Sequence, residues 1–416
     1  MTDPLVTVVT PSYNQGHFIR ATIESVLSQD YPHLEYIIMD GGSTDETAAV
    51  VRDYASQLTF ISETDRGQSH AINKGFQRAR GTILAWLNSD DLYLPGAVRT
   101  AVDAFRRNPA AGAVYGEGYL INAEGVVSGR FPHTEPLNLW KLVHLSDYIL
   151  QQSVYFRRDV LDDVGYLDEN LHYSMDWDIL IRIASKYSLA YIPEYMGCLR
   201  EYPAAKSSAG GKRRIRELRA LLRRHTGQWV PPGYVVYGLD TYHKLWCDAI
   251  SRMVPSRLEA VSSRLQWLVR TGAGLIIART IRDSQGLYGD FWASRRLRYM
   301  LPPGEGSLLI EGSLPDWKGA FEGQKLVVTA NDRYLGEFPV ALGDFQVRVD
   351  IPPELQHQLL HLIVRAGRWA MPSRVALTGD RRRLAYYLKS IRWSEPLTVE
   401  ELRKRCPQPG RVVQPG

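Results

Sequence analysis

The 416-residue chain has three cysteines, Cys198, Cys247 and Cys406, odd in number and far apart. Such usage fits neither a disulfide framework nor zinc spacing and points to a reducing, cytoplasmic setting. No apolar run reaches the roughly 18 residues of a membrane span, and the nearest approach, 265–278, is broken by Arg270 and two glycines. The opening Met-Thr-Asp-Pro-Leu has no basic region followed by an apolar one, so no secretory signal is expected. No Gly-x-Gly-x-x-Gly follows the first apolar run and no Walker-type lysine loop occurs, which argues against a dinucleotide dehydrogenase and a P-loop enzyme. His70, His133, His144 and His172 show no metal-ligand spacing and are expected to be structural or solvated.

Charge is unevenly distributed. The formal net charge is +5, yet residues 211–300 hold 17 Lys or Arg against 6 Asp or Glu, leaving 33 basic and 39 acidic residues elsewhere. This belt suits an anionic membrane surface or a solvated helical face. Nucleic acid is not expected as a partner, because no recognisable module interleaves aromatics with the basic residues.

What is present begins with alternating strands and helices. Leu5–Thr10 reads as a buried strand, followed by the turn cluster Ser-Tyr-Asn-Gln-Gly and by Ile19, Ile23, Val26 and Leu27 at helical spacing. Tyr36–Met39 reads as a second strand, with Ser43 and Glu46 at capping-box spacing after Asp40-Gly41-Gly42. Asp40, at the strand end, is an acceptor for a nucleobase N–H or a ribose hydroxyl. A third strand near 58–62 precedes a helix with Ile72 and Phe76, and Arg66 and Lys74 supply candidate cations. This alternation predicts a mostly parallel α/β sheet.

The fourth apolar run, 84–87, leads through Asn88 and Ser89 to the adjacent carboxylates Asp90 and Asp91. Two like charges side by side call for a cation, a shared proton or exposure to water. The carboxyl ends of strands are where α/β sheets bind ligands, which favours Mg2+ or Mn2+ with a nucleotide. A second acidic constellation, Met175-Asp176-Trp177-Asp178, opens a helix. Asp176 is read either as a helix-start anion or as a general base facing a pocket rimmed by Tyr173 and Trp177. Asp178 is read as a capping or packing residue.

Five segments in order resemble inverting glycosyltransferases of family 2: Val-Thr-Val-Val-Thr-Pro-Ser-Tyr-Asn, Ile38-Met-Asp-Gly-Gly-Ser-Thr-Asp, Asp65-Arg-Gly-Gln-Ser-His-Ala-Ile-Asn-Lys-Gly, Leu87-Asn-Ser-Asp-Asp and Met175-Asp-Trp-Asp. The resemblance implies a GT-A fold, a mixed nucleotide-sugar-binding sheet with helices on both faces. It implies donor contacts from Thr10, Pro11, Tyr13, Asn14, Asp40, Gly41, Asp45, Arg66, Lys74, Asn88, Ser89 and Asp90. It further implies a divalent ion, Mg2+ or Mn2+, on Asp90 and Asp91, and Asp176 as the base that deprotonates the acceptor. Asn88 stands where the family usually carries an acid, and Tyr202 stands near a common histidine, with Lys206 as an alternative cation. The Gln-x-x-Arg-Trp element of processive relatives is missing, so one sugar per acceptor is expected, onto a glycan or lipid-linked hydroxyl in surface-polysaccharide assembly. The alternatives are a nucleotidyltransferase and a non-catalytic nucleotide- or glycan-binding protein.

The expected division is a transferase domain over 1–228, a basic helical connector over 229–300, a β-sandwich over 301–395 and a disordered tail over 396–416. The connector's apolar stripe is expected to pack on a neighbouring domain or, in a homo-oligomer, on another subunit. Its alternative is peripheral contact, with 211–300, on the inner face of an anionic membrane. Strands are expected at 307–311, 325–330, 345–350 and 359–365. Trp317, Trp369 and Trp393 are expected in the core rather than on a carbohydrate-binding face.

Overall fold

In the computed structural model of the protein, residues 3–131, 134–206, 210–253, 291–375 and 382–395 are described, with short stretches between 263 and 288. They fall into two compact units, the first built from residues up to 137 with 147–221, the second from 138–146 with 222–397.

The first unit is built on β1 (Val6–Ser12), β2 (Leu34–Asp40), β3 (Thr59–Ser62) and β4 (Ile83–Trp86), all parallel, in the order β3-β2-β1-β4. Both faces of β1 are covered, so its run Val-Thr-Val-Val-Thr-Pro-Ser is buried throughout. On one face Val6, Val8, Tyr36, Ile38 and Ala85 pack with Ile19, Ile23 and Val26 of α1 (Gly16–Leu27). On the other, α3 (Gln68–Arg78) comes so close that a Cβ on Gly75 would lie 2.4 Å from a Val9 methyl. Only glycine lets that helix settle onto the sheet. Helices thus cover both faces, as expected.

Beyond β4 the sheet turns mixed. β8 (Tyr155–Arg157) is antiparallel to β4 and to β6 (Ala111–Ile121), while β9 (Ser188–Arg200) runs parallel to β6. β5 (Leu92–Tyr93) pairs antiparallel with β9, and β7 (Val127–Arg130) with β6. The alternation in the first 90 residues predicted a mostly parallel sheet; β1 to β4 are all parallel, and beyond them only the β6–β9 pair is. The two-residue β5 follows Asp90-Asp91 at once and joins the pair to β9.

The capping box expected of Ser43 and Glu46 is not formed. α2 (Thr47–Arg52) begins at Thr47, and the capping carboxylate is Asp45, which accepts the N–H of Thr47 at 3.0 Å and that of Gly16 at 2.9 Å. One acid therefore ties together the starts of α1 and α2, and its carboxyl lies below the usual range despite the desolvation that opposes this, because Thr47 and Gly16 donate to it.

In the second unit, β10 (Trp292–Ala293), β17 (Tyr386–Glu395), β12 (Glu305–Leu314) and β15 (Gly343–Asp350) form one antiparallel sheet in that order. β11 (Arg296–Leu301), β16 (Leu360–Ala366), β13 (Lys325–Ala330) and β14 (Arg333–Pro339) form the other. Alternate residues of the two, including Leu308, Ile310 and Val349 against Leu326, Val328 and Val364, share one core and make a β-sandwich. It begins at Trp292 rather than at 301, because 292–293 and 296–301 are already paired. α8 (Gly211–Thr226) and α9 (Pro232–Met253) are helical as expected. Most of the remaining connector stripe and the tail over 396–416 lie outside the described residues. No described helix is long and apolar enough to cross a membrane.

Candidate functional site

The carboxyl ends of β1, β2 and β4 stand side by side, with Ser12 in register with Asp40 and Val9 with Trp86. Above them opens a cavity of about 440 Å³ lined by Pro11, Ser12, Tyr13, Asp65, Gln68, Asn88, Ser89, Asp90, Asp91, Tyr173, Asp176, Tyr202 and Lys206, among others. Three expected groups, the loop after β1, the paired acids and the acid of α7 (Met175–Ala184), therefore meet in one place. Ser12 Oγ is buried in this wall and, among the described residues, has no hydrogen-bond partner.

The paired acids differ. Asp91 is buried and accepts the N–H of Arg200 at 2.8 Å, Gln152 Nε2 at 2.6 Å and Asn88 Nδ2 at 2.9 Å. Burial, then the neighbouring Asp90 charge, pushes its carboxyl up to about 7 against those donors. Asp90 is only half-buried and takes one side-chain donor, the Tyr202 hydroxyl at 2.9 Å. Desolvation raises it as well. Arg200 fixes the turn by donating from Nε to the Asp90 carbonyl at 2.7 Å, with its guanidinium 4.9 Å from the centre of the Phe18 ring.

Asp176 sits in the first turn of α7, half-buried against the cavity. Its Oδ1 accepts the Trp177 N–H at 2.8 Å, and among the described residues no side chain donates to it. Desolvation raises its carboxyl above the ordinary range. The segment leading into α7 is clamped by Glu217 of α8, which accepts the N–H groups of His172, Tyr173 and Ser174 at 2.7–2.9 Å and the Ser174 hydroxyl at 2.8 Å. Tyr173 rims the cavity as expected. Trp177 does not, because the helix period turns it into the core, where it is 2% exposed. Asp178 is buried against Arg182 at 2.7 Å, in keeping with its packing role.

Lys206 donates to Gln68 Oε1 at 2.7 Å, and Gln68 Nε2 donates to Asn88 Oδ1 at 2.7 Å. A chain of hydrogen bonds thus runs from a cation to the acid pair. Burial brings the Lys206 ammonium down to about 8.

Other expected donor residues have different surroundings. Thr10 is buried with its hydroxyl 3.0 Å from that of Tyr36. Asp40 is buried and accepts from the Ser43 N–H and hydroxyl and from the Ser62 hydroxyl. Asn14 is bonded to Ser43 and Thr44. Gly41 abuts the cavity wall, since a Cβ there would lie 2.6 Å from Asp65 Oδ2 and 3.4 Å from Tyr13. Arg66 and Lys74 do not line the cavity. Arg66 pairs with Glu169, and Lys74 pairs with Glu63 at 2.8 Å. They were expected as candidate cations and as donor contacts implied by the resemblance, and here acids outside the cavity lining pair with them. Sequence reasoning missed Gln68, Gln152, Arg200 and Glu217. Gln152 and Arg200 meet Asp91 across 61 and 109 residues, separations over which no local pattern links them.

Residues 7–163 match the glycosyl transferase family 2 domain. An uncharacterized glycosyltransferase of Rickettsia typhi is 26% identical over 198 residues, which is 44% of this chain and 61% of that protein. The poly-beta-1,6-N-acetyl-D-glucosamine synthase of Staphylococcus epidermidis is 28% identical over 169 residues, covering 38% of this chain and 41% of the synthase. Matches to the first curated relatives thus span less than two thirds of their length. Among solved structures, S. aureus TarS 1-349 in complex with UDP-GlcNAc aligns with a TM-score of 0.42 at 18% identity, over 67% of this chain and 89% of that one.

Proposed function

We propose that the glycosyltransferase family 2 domain of this chain is an inverting, metal-dependent enzyme that moves one sugar from a nucleotide-sugar to a hydroxyl of a glycan or lipid-linked acceptor. The observation that carries the reading is that Asp90, in the turn after β4, and Asp176, in the first turn of α7, line the same cavity. One carboxylate is placed to serve the leaving group and the other the nucleophile. The transferase chemistry is assigned to residues 1–228, with the β-sandwich as an accessory part. Cytoplasmic glycan assembly, with 211–300 lying against an anionic membrane, is the setting that the basic belt supports.

The residues fit a hard divalent ion of the Mg2+ or Mn2+ kind. Among the described residues no three His, Cys, Asp or Glu side chains form a closed cage, and an ion that keeps its waters and binds substrate phosphates needs only one or two carboxylates. Asp90 would be the ligand, with Asp91, already bonded to three N–H groups, holding the turn that presents it. Bound there, the ion would supply positive charge to the departing nucleoside diphosphate. Lys206 adds a second positive group on the same wall. Ser12 and the loop around Tyr13 and Gly41 hold the nucleoside end. Asp176, raised by desolvation and not tied down by donors, takes the acceptor hydroxyl's proton at its carboxylate as the oxygen attacks the anomeric carbon.

The test is incubation of the full chain with a panel of nucleotide-sugars and Mn2+, following release of nucleoside diphosphate. Release that stops in Asp176→Asn supports the reading. Pyrophosphate release would instead mark a nucleotidyltransferase, and no turnover of any donor would leave a binding protein.

A further inference from the structure

We propose that Gln68 is a positioning residue for the transfer step: it tethers the Lys206 ammonium toward the acid pair and keeps it from pairing with Asp176. The role given to Asp176 rests on the transferase reading. The tether itself rests on hydrogen bonds.

It starts from a glycine. Gly67 has φ of 116°, a backbone that side chains rarely adopt, and its N–H donates to Asp65 Oδ1 at 2.7 Å. α3 therefore opens at Gln68, whose side chain lies on the cavity wall. A lysine has only donors, so its bond at 2.7 Å fixes the amide with Oε1 toward Lys206, and Nε2 is left to donate to Asn88 Oδ1 at 2.7 Å. The same logic turns Asn88 Nδ2 to Asp91 Oδ2 at 2.9 Å. All three bonds run in one direction, from the ammonium to the carboxylate, and flipping either amide would break two of them.

Without the tether, the ammonium has a stronger attractor. Asp176 and Glu217 are the acids whose charge reaches Lys206, and His172 is the group it repels when protonated. Glu217 is already engaged by the N–H groups of residues 172–174 and the Ser174 hydroxyl. Asp176 has no side-chain donor among the described residues; it lies in the field of Arg214 and Lys206 and of the acid Asp147. Yet Lys206 bonds to a neutral amide, although Asp176 lines the same cavity. An ammonium paired with Asp176 would favour its ionised form and weaken it as a base. Held back by Gln68, the same charge is kept for the leaving group.

The experiment is an NMR titration of the full chain with isotope-labelled lysine, the Lys206 signal being assigned by its loss in Lys206→Arg. The parent signal is expected to titrate at about 8. In Gln68→Leu the freed ammonium pairs with Asp176 and titrates at higher pH, and adding Asp176→Asn brings it below the parent value. Gln68→Met, closer in shape, gives the same readings if the leucine variant does not fold. A signal that stays or falls in both single variants overturns the proposal, since loss of a neutral acceptor with no new partner only destabilises the ammonium. A rise that persists with Asp176→Asn also overturns it. In turnover, Gln68→Leu should lower kcat about tenfold, less than loss of the base itself, and move its acid limb to lower pH, while Gln68→Glu keeps a tether and restores both. The NMR signal needs no substrate, so a parent without turnover would sink the transferase reading, whereas an unmoved signal in an active enzyme would sink the tether alone.

Discussion

Asp91 and Asp176 line one cavity, yet Asp91 is 1% exposed and met by three N–H donors, two of them from distant segments, whereas Asp176 opens to the cavity and, among the described residues, no side chain donates to it. Three donors fix the Asp91 carboxyl in one orientation, which suits a residue that shapes a turn, even though burial and the neighbouring Asp90 charge push it up to about 7. A carboxylate desolvated but left short of donors is easier to protonate, which suits a residue that must accept a proton. Asp90 stands between them, half-buried with one hydroxyl donor, as a ligand that must keep an oxygen available.

The strongest way to break this contrast is Asp176→Asn. Transfer should fall by about 10²–10⁴-fold, the range of a lost general base, with nucleoside diphosphate affinity by calorimetry unchanged. A fall in affinity would place Asp176 in the donor site. Next comes Asp90→Asn, which should cost about 10–100-fold in metal-dependent nucleotide affinity while leaving the melting temperature near that of the parent. Asp91→Asn should do the reverse. It sets an amide N–H against the donors of Gln152 and Asn88 and should lower stability by about 1–3 kcal/mol, read from denaturant unfolding. An unchanged midpoint would remove the structural role given to Asp91.

The smallest effect concerns Lys206, whose ammonium titrates at about 8. It is charged below that value and neutral above it, so the donor KM should rise as pH climbs through 8. Lys206→Arg keeps its charge and should flatten that limb by a few-fold. A limb that persists in the arginine variant would belong to another group.

The acids of the cavity were legible because each sits at a recognisable place, Asp90 and Asp91 at the end of a short apolar run and Asp176 at a helix start. Their setting was not. The donors to Asp91 come from chain segments 61 and 109 residues away, and a glutamine or a backbone N–H gives no signal in a single sequence. Glu217 was the acid in a basic helix, and nothing local tells that it clamps the start of α7. Arg66 and Lys74 were visible as charges, but their partners Glu169 and Glu63 depend on how loops fold back. In the sandwich, strands with clear alternation such as β13 and β16 were legible from burial period alone. β14, exposed along most of its length and interrupted by Gly336, was not, and the two-residue β10 is too short to carry a period.

The measurement that tests the central claim most directly is calorimetric titration of nucleoside diphosphates, with and without Mn2+, into the parent chain, Asp90→Asn and Asp176→Asn. The account predicts Mn2+-dependent binding in the parent and in Asp176→Asn, and its loss in Asp90→Asn. Binding that needs no metal, or that survives Asp90→Asn at full strength, would contradict it.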